Sequence, residues 1–152
     1  MKLHIHILMI IGLLGLATSL SYAQSEDTDT SIKEVKKETQ ELFKTIGNYT
    51  VDKKDETLKK AKESLDKLDE RVDTLESKVD KQWDKMNKAV RMETRENLRT
   101  LRKQRNQVAQ WYGGMKNSTA EAWEYTKKGF SDAYKDLEKA WEKSEKEFSS
   151  TK

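Results

Sequence analysis

The stretch LKKAKESLDKLDERVDTLESKV, residues 58–79, decides the fold. Its apolar side chains recur at alternating steps of three and four residues, a spacing that places them on one stripe of an α-helix, as in the seam of a coiled coil. They are Leu58, Ala61, Leu65, Leu68, Val72, Leu75 and Val79. The intervening acidic residues, such as Asp69 and Asp73, are interpreted as a solvated helix face. The stretch therefore predicts an amphipathic helix that needs a partner.

The helix signal extends well beyond this stretch, because residues 52–112 contain no Gly and no Pro. At Trp83, Met86 and Val90 the apolar spacing shifts to consecutive steps of four, which we interpret as a stutter within one continuous helix. The spacing of three and four then resumes as far as Met115. The sequence thus predicts one central helix of about sixty residues, about 90 Å long at ~1.5 Å per residue.

Two shorter helices are predicted on either side of the central one. Ser31 and Glu34 fit a capping box that begins a first helix, and Gly47 is a plausible left-handed stop for it. Gly113-Gly114 is predicted to break the central helix, and a second capping box at residues 118–121 to begin the last helix. Short connections make such helices antiparallel neighbours. The expected fold is all-α, an antiparallel coiled coil or hairpin in which both shorter helices fold back on the central one.

Composition agrees with a thin helical fold of one domain. Of the 152 residues, 38% are charged and 34% are hydrophobic. There are too few hydrophobic residues for a thick core but enough for one apolar stripe on each helix. The formal net charge of +3 gives no general reason to expect nucleic acid as a partner.

The beginning of the chain is typical of a signal peptide. Lys2 precedes an apolar run from Ile5 to Leu20, and small residues around Ala23 fit a cleavage site. This predicts a signal peptide at residues 1–23, a flexible acidic leader at 24–31 and a helical domain at 32–148. The expected location is the periplasm or outside the cell; an uncleaved membrane anchor is the alternative.

The residues that remain after such a cleavage do not indicate an enzyme. His4 and His6 lie in the predicted signal peptide, and the chain has no Cys. The commonest general base and thiol nucleophile would therefore be missing. No Gly-rich phosphate loop or serine elbow is present either. We expect no catalytic residue, cofactor, metal or small-molecule substrate.

Arginines form the first candidate binding surface. Five of the six lie at Arg91, Arg95, Arg99, Arg102 and Arg105, within a stretch rich in basic residues. Such a stripe can bind phosphate on an anionic lipid surface or on nucleic acid, although an exported protein rarely meets nucleic acid. The alternative is that this face pairs with acidic residues of the last helix, among them Glu121, Glu124, Asp132, Asp136 and Glu138.

Aromatic residues form the second candidate surface. The set predicted to pack the hairpin is Trp83, Trp123, Phe130, Tyr134, Trp141 and Phe148. Most belong to the last helix, and they could instead lie in a membrane interface.

A third prediction concerns residues 71–80 of the central helix. Neither shorter helix is expected to cover them. Self-association with a second copy is therefore predicted through Leu65, Leu68, Val72, Leu75 and Val79.

The second half of the chain resembles a family of small bacterial coiled-coil proteins described as stress-response proteins. The residues that carry the resemblance lie between 92 and 148: Arg95-Glu96-Asn97-Leu98, Leu101-Arg102, the glycine pair, Ser118-Thr119-Ala120-Glu121-Ala122-Trp123, Gly129-Phe130, Ala133-Tyr134 and Leu137-Glu138-Lys139-Ala140-Trp141. The resemblance implies a long helical hairpin and a role in stress, and it supplies no catalytic residues. The chain also has a weaker likeness to the amphipathic helices of apolipoproteins.

Together these observations predict a non-catalytic, exported helical protein that binds or supports other components of the cell envelope under stress. The alternatives are a peripheral protein that binds anionic lipid and a chaperone-like or oligomeric scaffold. The sequence does not identify the ligand.

Overall fold

The computed structural model describes residues 32–150, with side chains described as far as Phe148. This part of the chain is all-α, as predicted. It contains α1 (Ile32–Gly47), α2 (Lys54–Gln82), α3 (Lys88–Lys116) and α4 (Trp123–Ser150), with 3₁₀ turns at Val51–Lys53 and Trp83–Lys85. The predicted signal peptide, the leader and the Ser31 end of the first capping box lie outside the described residues.

The prediction of one continuous central helix is wrong, because the chain turns between α2 and α3. After the 3₁₀ turn, Met86 is extended, with φ −83° and ψ 139°. Asn87 then caps α3, its side chain accepting a hydrogen bond from the backbone N–H of Val90 at 3.0 Å. The shift in apolar spacing at Trp83 marks this turn and not a stutter, since buried Met86 closes the end of the core.

Two of the predicted helix boundaries also differ. The pair Gly113-Gly114 does not break α3, which continues to Lys116. The cap before α4 forms at Thr119, one residue later than predicted, where the hydroxyl accepts a hydrogen bond from the N–H of Ala122 at 3.3 Å. Glycine lacks a Cβ but can still adopt helical backbone angles, so a glycine pair only weakens a helix.

The four helices form a bundle in which each packs against the next and α4 returns to α1. Contacts near both ends show that α1 and α4 are antiparallel. Glu142, near the end of α4, pairs with Lys36 at 3.1 Å, whereas Lys127, near its start, donates a hydrogen bond to the carbonyl of Tyr49 just after α1. Each helix therefore buries one apolar stripe against two neighbours.

A single core runs between the helices and includes the seam that was predicted to bind a second copy. Each of the five seam residues is at most 6% exposed, and they are Leu65, Leu68, Val72, Leu75 and Val79. The premise that residues 71–80 lack partners within the chain is wrong, because the turn at Trp83 brings α3 back along α2. Self-association through this seam would require the bundle to open.

Helices α3 and α4 approach each other closely at Gly129. A Cβ added at Gly129 would lie 2.4 Å from ring atoms of Trp111, well inside van der Waals contact. Trp111 also makes an edge-to-face contact with Tyr125, at 5.6 Å between ring centroids. Gly129 therefore permits α4 to pack directly on an indole ring of α3.

Candidate functional site: a groove between α2 and α3

The turn between α2 and α3 positions the first two arginines of the candidate set. Arg91 donates a hydrogen bond from Nε to the carbonyl of Trp83 at 2.9 Å, which satisfies a backbone acceptor at the end of α2. The guanidinium groups of Arg91 and Arg95 lie 5.6 and 5.2 Å from the centroid of the Trp83 ring, within cation–π distance. Arg91 thus stabilises the turn through its hydrogen bond to Trp83, and the Trp83 ring positions the guanidinium group of Arg95 next to the turn.

An open groove of about 750 Å³ runs along the outer side of α2 and α3 next to this turn. Its apolar lining combines the half-buried ring of Trp83 with Met92, which at 63% exposure is among the few large apolar side chains that face solvent in the described residues. Polar groups line it as well. The full lining is Val79, Asp80, Trp83, Met92, Arg95, Glu96, Leu98, Arg99 and Arg102.

Two arginines of the groove are available to a ligand. Arg95 is exposed and forms no ion pair within residues 32–150. Arg99 lies 3.9 Å from Glu96, and both side chains are more than two-thirds exposed, so the pair holds Arg99 only weakly. The lining carries three arginines against Asp80 and Glu96, a formal excess of one positive charge, and Arg102 is itself paired with Glu76 outside this lining.

The remaining two arginines bridge α3 to α2. Arg102 donates from Nε to Glu76 at 2.5 Å, and Arg105 forms a two-pronged ion pair with Asp69. These hydrogen bonds raise the pKa of both guanidinium groups above the ordinary arginine value. The two arginines meet α2 and not the acidic residues of the last helix that the sequence suggested. Asp69, predicted to be a solvated acid, is an arginine partner.

The Arg102–Glu76 bridge divides the α2–α3 groove in two. Beyond Arg102 lies a smaller cavity of about 450 Å³. Its lining is almost entirely polar or charged: Asp69, Val72, Asp73, Glu76, Arg102, Arg105 and Asn106. The apolar part of the groove therefore ends at the Arg102–Glu76 pair.

The candidate aromatic residues fall into two groups. Those of α4 are at most 7% exposed in the core, namely Trp123, Phe130, Tyr134, Trp141 and Phe148. Trp83 stands apart from them in the groove wall. Any contact of the α4 aromatic residues with a membrane would require the bundle to open.

The sixth arginine is the one that the sequence interpretation passed over. Arg71, only 6% exposed, donates to Glu38 at 2.6 Å and so joins α2 to α1. Burial alone would raise the pKa of Glu38, but the hydrogen bond from Arg71 and the positive charges of Arg71 and Lys67 hold that pKa below its ordinary value. Nearby, burial raises the pKa of Tyr134. The sequence did contain a signal for this ion pair, because Arg71 lies directly beside the heptad seam and is therefore close to the core.

Neither a metal-ligand cluster nor a membrane span is found in residues 32–150. No three His, Cys, Asp or Glu side chains there are grouped so that they could hold a metal ion. Within the same residues, no helix is both long enough and apolar enough to span a membrane. Comparison of the chain with models of protein families, with curated proteins and with solved structures found no match.

Proposed function

We propose that this chain is a non-catalytic, exported helical protein that binds anionic phospholipid surfaces of the cell envelope. The observation that supports this proposal is the juxtaposition of Arg95 and Arg99 with the apolar side chains of Trp83 and Met92 on one exposed groove. Phosphate groups pair with arginine forks, and apolar side chains beside them enter the acyl boundary.

Charge distribution supports the choice of an anionic partner. Residues 81–103, which run from the end of α2 through the turn to the middle of α3, contain eight basic and three acidic residues. Juxtamembrane basic residues contribute about 1 kcal/mol each to binding at an anionic bilayer.

Export is proposed from the signal-peptide pattern of residues 1–23. A role in stress is proposed from the resemblance of residues 92–148 to stress-response coiled-coil proteins.

Vesicle flotation tests the proposal. The processed chain from Gln24 onward contains all of residues 32–150, and it would be mixed with vesicles of phosphatidylglycerol or of phosphatidylcholine. We expect flotation with phosphatidylglycerol only, and its loss as salt rises, because salt screens exposed charges. The double variant Arg95→Gln/Arg99→Gln should bind roughly thirtyfold more weakly, from about 1 kcal/mol for each arginine.

A matched control comes from the outer face of α4. Lys128 and Lys139 are 75% and 76% exposed and pair only with nearby acids of their own helix, so Lys128→Gln/Lys139→Gln removes the same charge at small structural cost. It should float like the unaltered chain. Equal losses in the two double variants, or equal binding to both lipids, would contradict a site at the groove.

A further inference from the structure

The groove has an apolar half and a charged half, which is the pattern of a site for one amphiphilic molecule. Val79, Trp83, Met92 and Leu98 supply the apolar lining, and Arg95 and Arg99 the charged lining. A volume of about 750 Å³ lies within the ~300–1,000 Å³ range of sites for small ligands. A flat membrane contact would need no such concavity.

The spacing of the two arginines suits a single phosphate. Arg95 and Arg99 are four residues apart on α3, so their Cβ atoms lie on the same helix face about 5–6 Å from each other. Trp83 restrains the guanidinium of Arg95 at 5.2 Å from its ring centroid. Two guanidinium groups at this separation can share the oxygens of one phosphate.

The far end of the groove limits the apolar part of the ligand. The Arg102–Glu76 ion pair crosses from α3 to α2, and the cavity beyond it is lined by Asp69, Asp73 and other charged groups. An acyl chain would lose its water there without gaining apolar contacts. Before the bridge, the apolar lining is confined to Val79, Trp83, Met92 and Leu98, which suits one short acyl chain better than two.

From these features we infer that the groove binds a single-chain phospholipid with a net negative headgroup, the phosphate on Arg95 and Arg99 and the acyl chain along Trp83, Met92 and Leu98. The inference rests on the proposed function for its choice of a lipid. It goes further in assigning a one-to-one site for a lipid monomer. Asp80 and Glu96 disfavour any second negative charge beyond the phosphate.

Calorimetric titration of the processed chain tests this site with three probes. They are lysophosphatidylglycerol below its critical micelle concentration, lysophosphatidylcholine with the same acyl chain, and glycerol 3-phosphate without one. We expect saturable one-to-one binding of the first, binding of the second about tenfold weaker because its headgroup has no net charge, and no detectable binding of the third.

Variants separate the two halves of the groove. Arg95→Gln/Arg99→Gln should remove the preference for lysophosphatidylglycerol over lysophosphatidylcholine, whereas Met92→Gln should weaken both lipids by a similar factor and keep the preference. Met92 is exposed, so its replacement should not impair folding. Circular dichroism of each variant checks that the helices persist.

Several results would overturn the inference. They are the absence of saturable binding, equal binding of glycerol 3-phosphate and lysophosphatidylglycerol, and a headgroup preference that persists in the arginine variant. Binding to phosphatidylglycerol vesicles without binding of the monomeric lipid would contradict the inference and support the proposed function. Monomer binding without vesicle binding would support the site and contradict the membrane-surface function.

Discussion

Helix α3 meets its two neighbours in different ways. Against α4 it makes a close apolar contact, in which Gly129 allows the ring of Trp111 to touch the opposing helix. Against α2 it leaves an open groove, bridged by Arg102–Glu76 and Arg105–Asp69. Buried apolar contacts contribute far more stability than exposed ion pairs do. The apolar contacts of α3 in the core therefore stabilise the fold more than the arginine bridges do, and the outer side of α2 and α3 leaves charged and apolar groups exposed to a ligand.

The largest effect is expected from an aromatic side chain of the core. Phe130 is fully buried on α4 and contacts Tyr134, with ring centroids 5.8 Å apart. Phe130→Ala should lower the free energy of unfolding by about 3–5 kcal/mol, because it removes buried area and leaves a cavity. Urea denaturation measures this loss. A loss below about 1 kcal/mol, typical of surface substitutions, would show that α4 is not tightly packed.

Loss of the buried ion pair between α1 and α2 should come next. Glu38→Gln removes a charged hydrogen bond from buried Arg71 and should cost about 1.5–3 kcal/mol at neutral pH. The folded-state pKa of Glu38 lies below the ordinary value of 4.5. Its contribution is therefore present above that value and disappears as the pH falls through the folded-state pKa.

Denaturation of both proteins across the acid range measures this contribution. The destabilisation caused by Glu38→Gln should shrink below pH 4.5, the ordinary value for Glu38. A difference between the two proteins that is constant over the whole range would contradict the assignment of the stability to the Glu38 carboxylate.

An intermediate effect is expected at the close contact between Gly129 and Trp111. Gly129→Ala places a methyl group against the Trp111 ring and should lower the free energy of unfolding by about 1–3 kcal/mol, the usual cost of overpacking. Gly113→Ala is the control, because nothing lies within 4 Å of a Cβ there. That control should be neutral or stabilising by up to about 1 kcal/mol from helix propensity. Changes of the same sign in both variants would refute the close approach of α3 and α4.

The smallest effect on stability is expected in the groove. Arg102→Gln breaks the pair with Glu76, but Arg102 is 63% exposed, so the expected loss is below about 1 kcal/mol and shrinks further in salt. Chemical denaturation at low and high ionic strength measures both effects. A loss comparable with that of Phe130→Ala would mean that the bridges, and not the apolar core, hold α2 in place.

Helical periodicity was sufficient to predict the all-α class, because heptad spacing depends only on neighbouring residues. It failed at the turn between α2 and α3. A cap signal was present at Asn87, but no Gly or Pro drew attention to it, and the shift in apolar spacing had two explanations. The position of this turn determines whether the seam is buried, since the turn brings α3 back along α2, and Val72, Leu75 and Val79, which were predicted to lack partners within the chain, are buried.

The candidate site was only half predictable for the same reason. Periodicity gathered the arginines on one stripe, but their partners depend on tertiary contacts. Arg102 and Glu76 are 26 residues apart, and Arg105 and Asp69 are 36 apart, so both pairings require the position of the turn. The contact of Gly129 with Trp111 could not be predicted either, because no sequence pattern shows that an indole ring faces this glycine.

The central claim is that the groove binds lipid and contributes little to stability, and one paired measurement tests it most directly. Flotation with phosphatidylglycerol vesicles and urea unfolding would be measured on the same samples of the unaltered chain and of Arg95→Gln/Arg99→Gln. The account predicts that the variant loses flotation while its free energy of unfolding stays within about 0.5 kcal/mol of the unaltered value. A variant that unfolds more easily but still floats would contradict it.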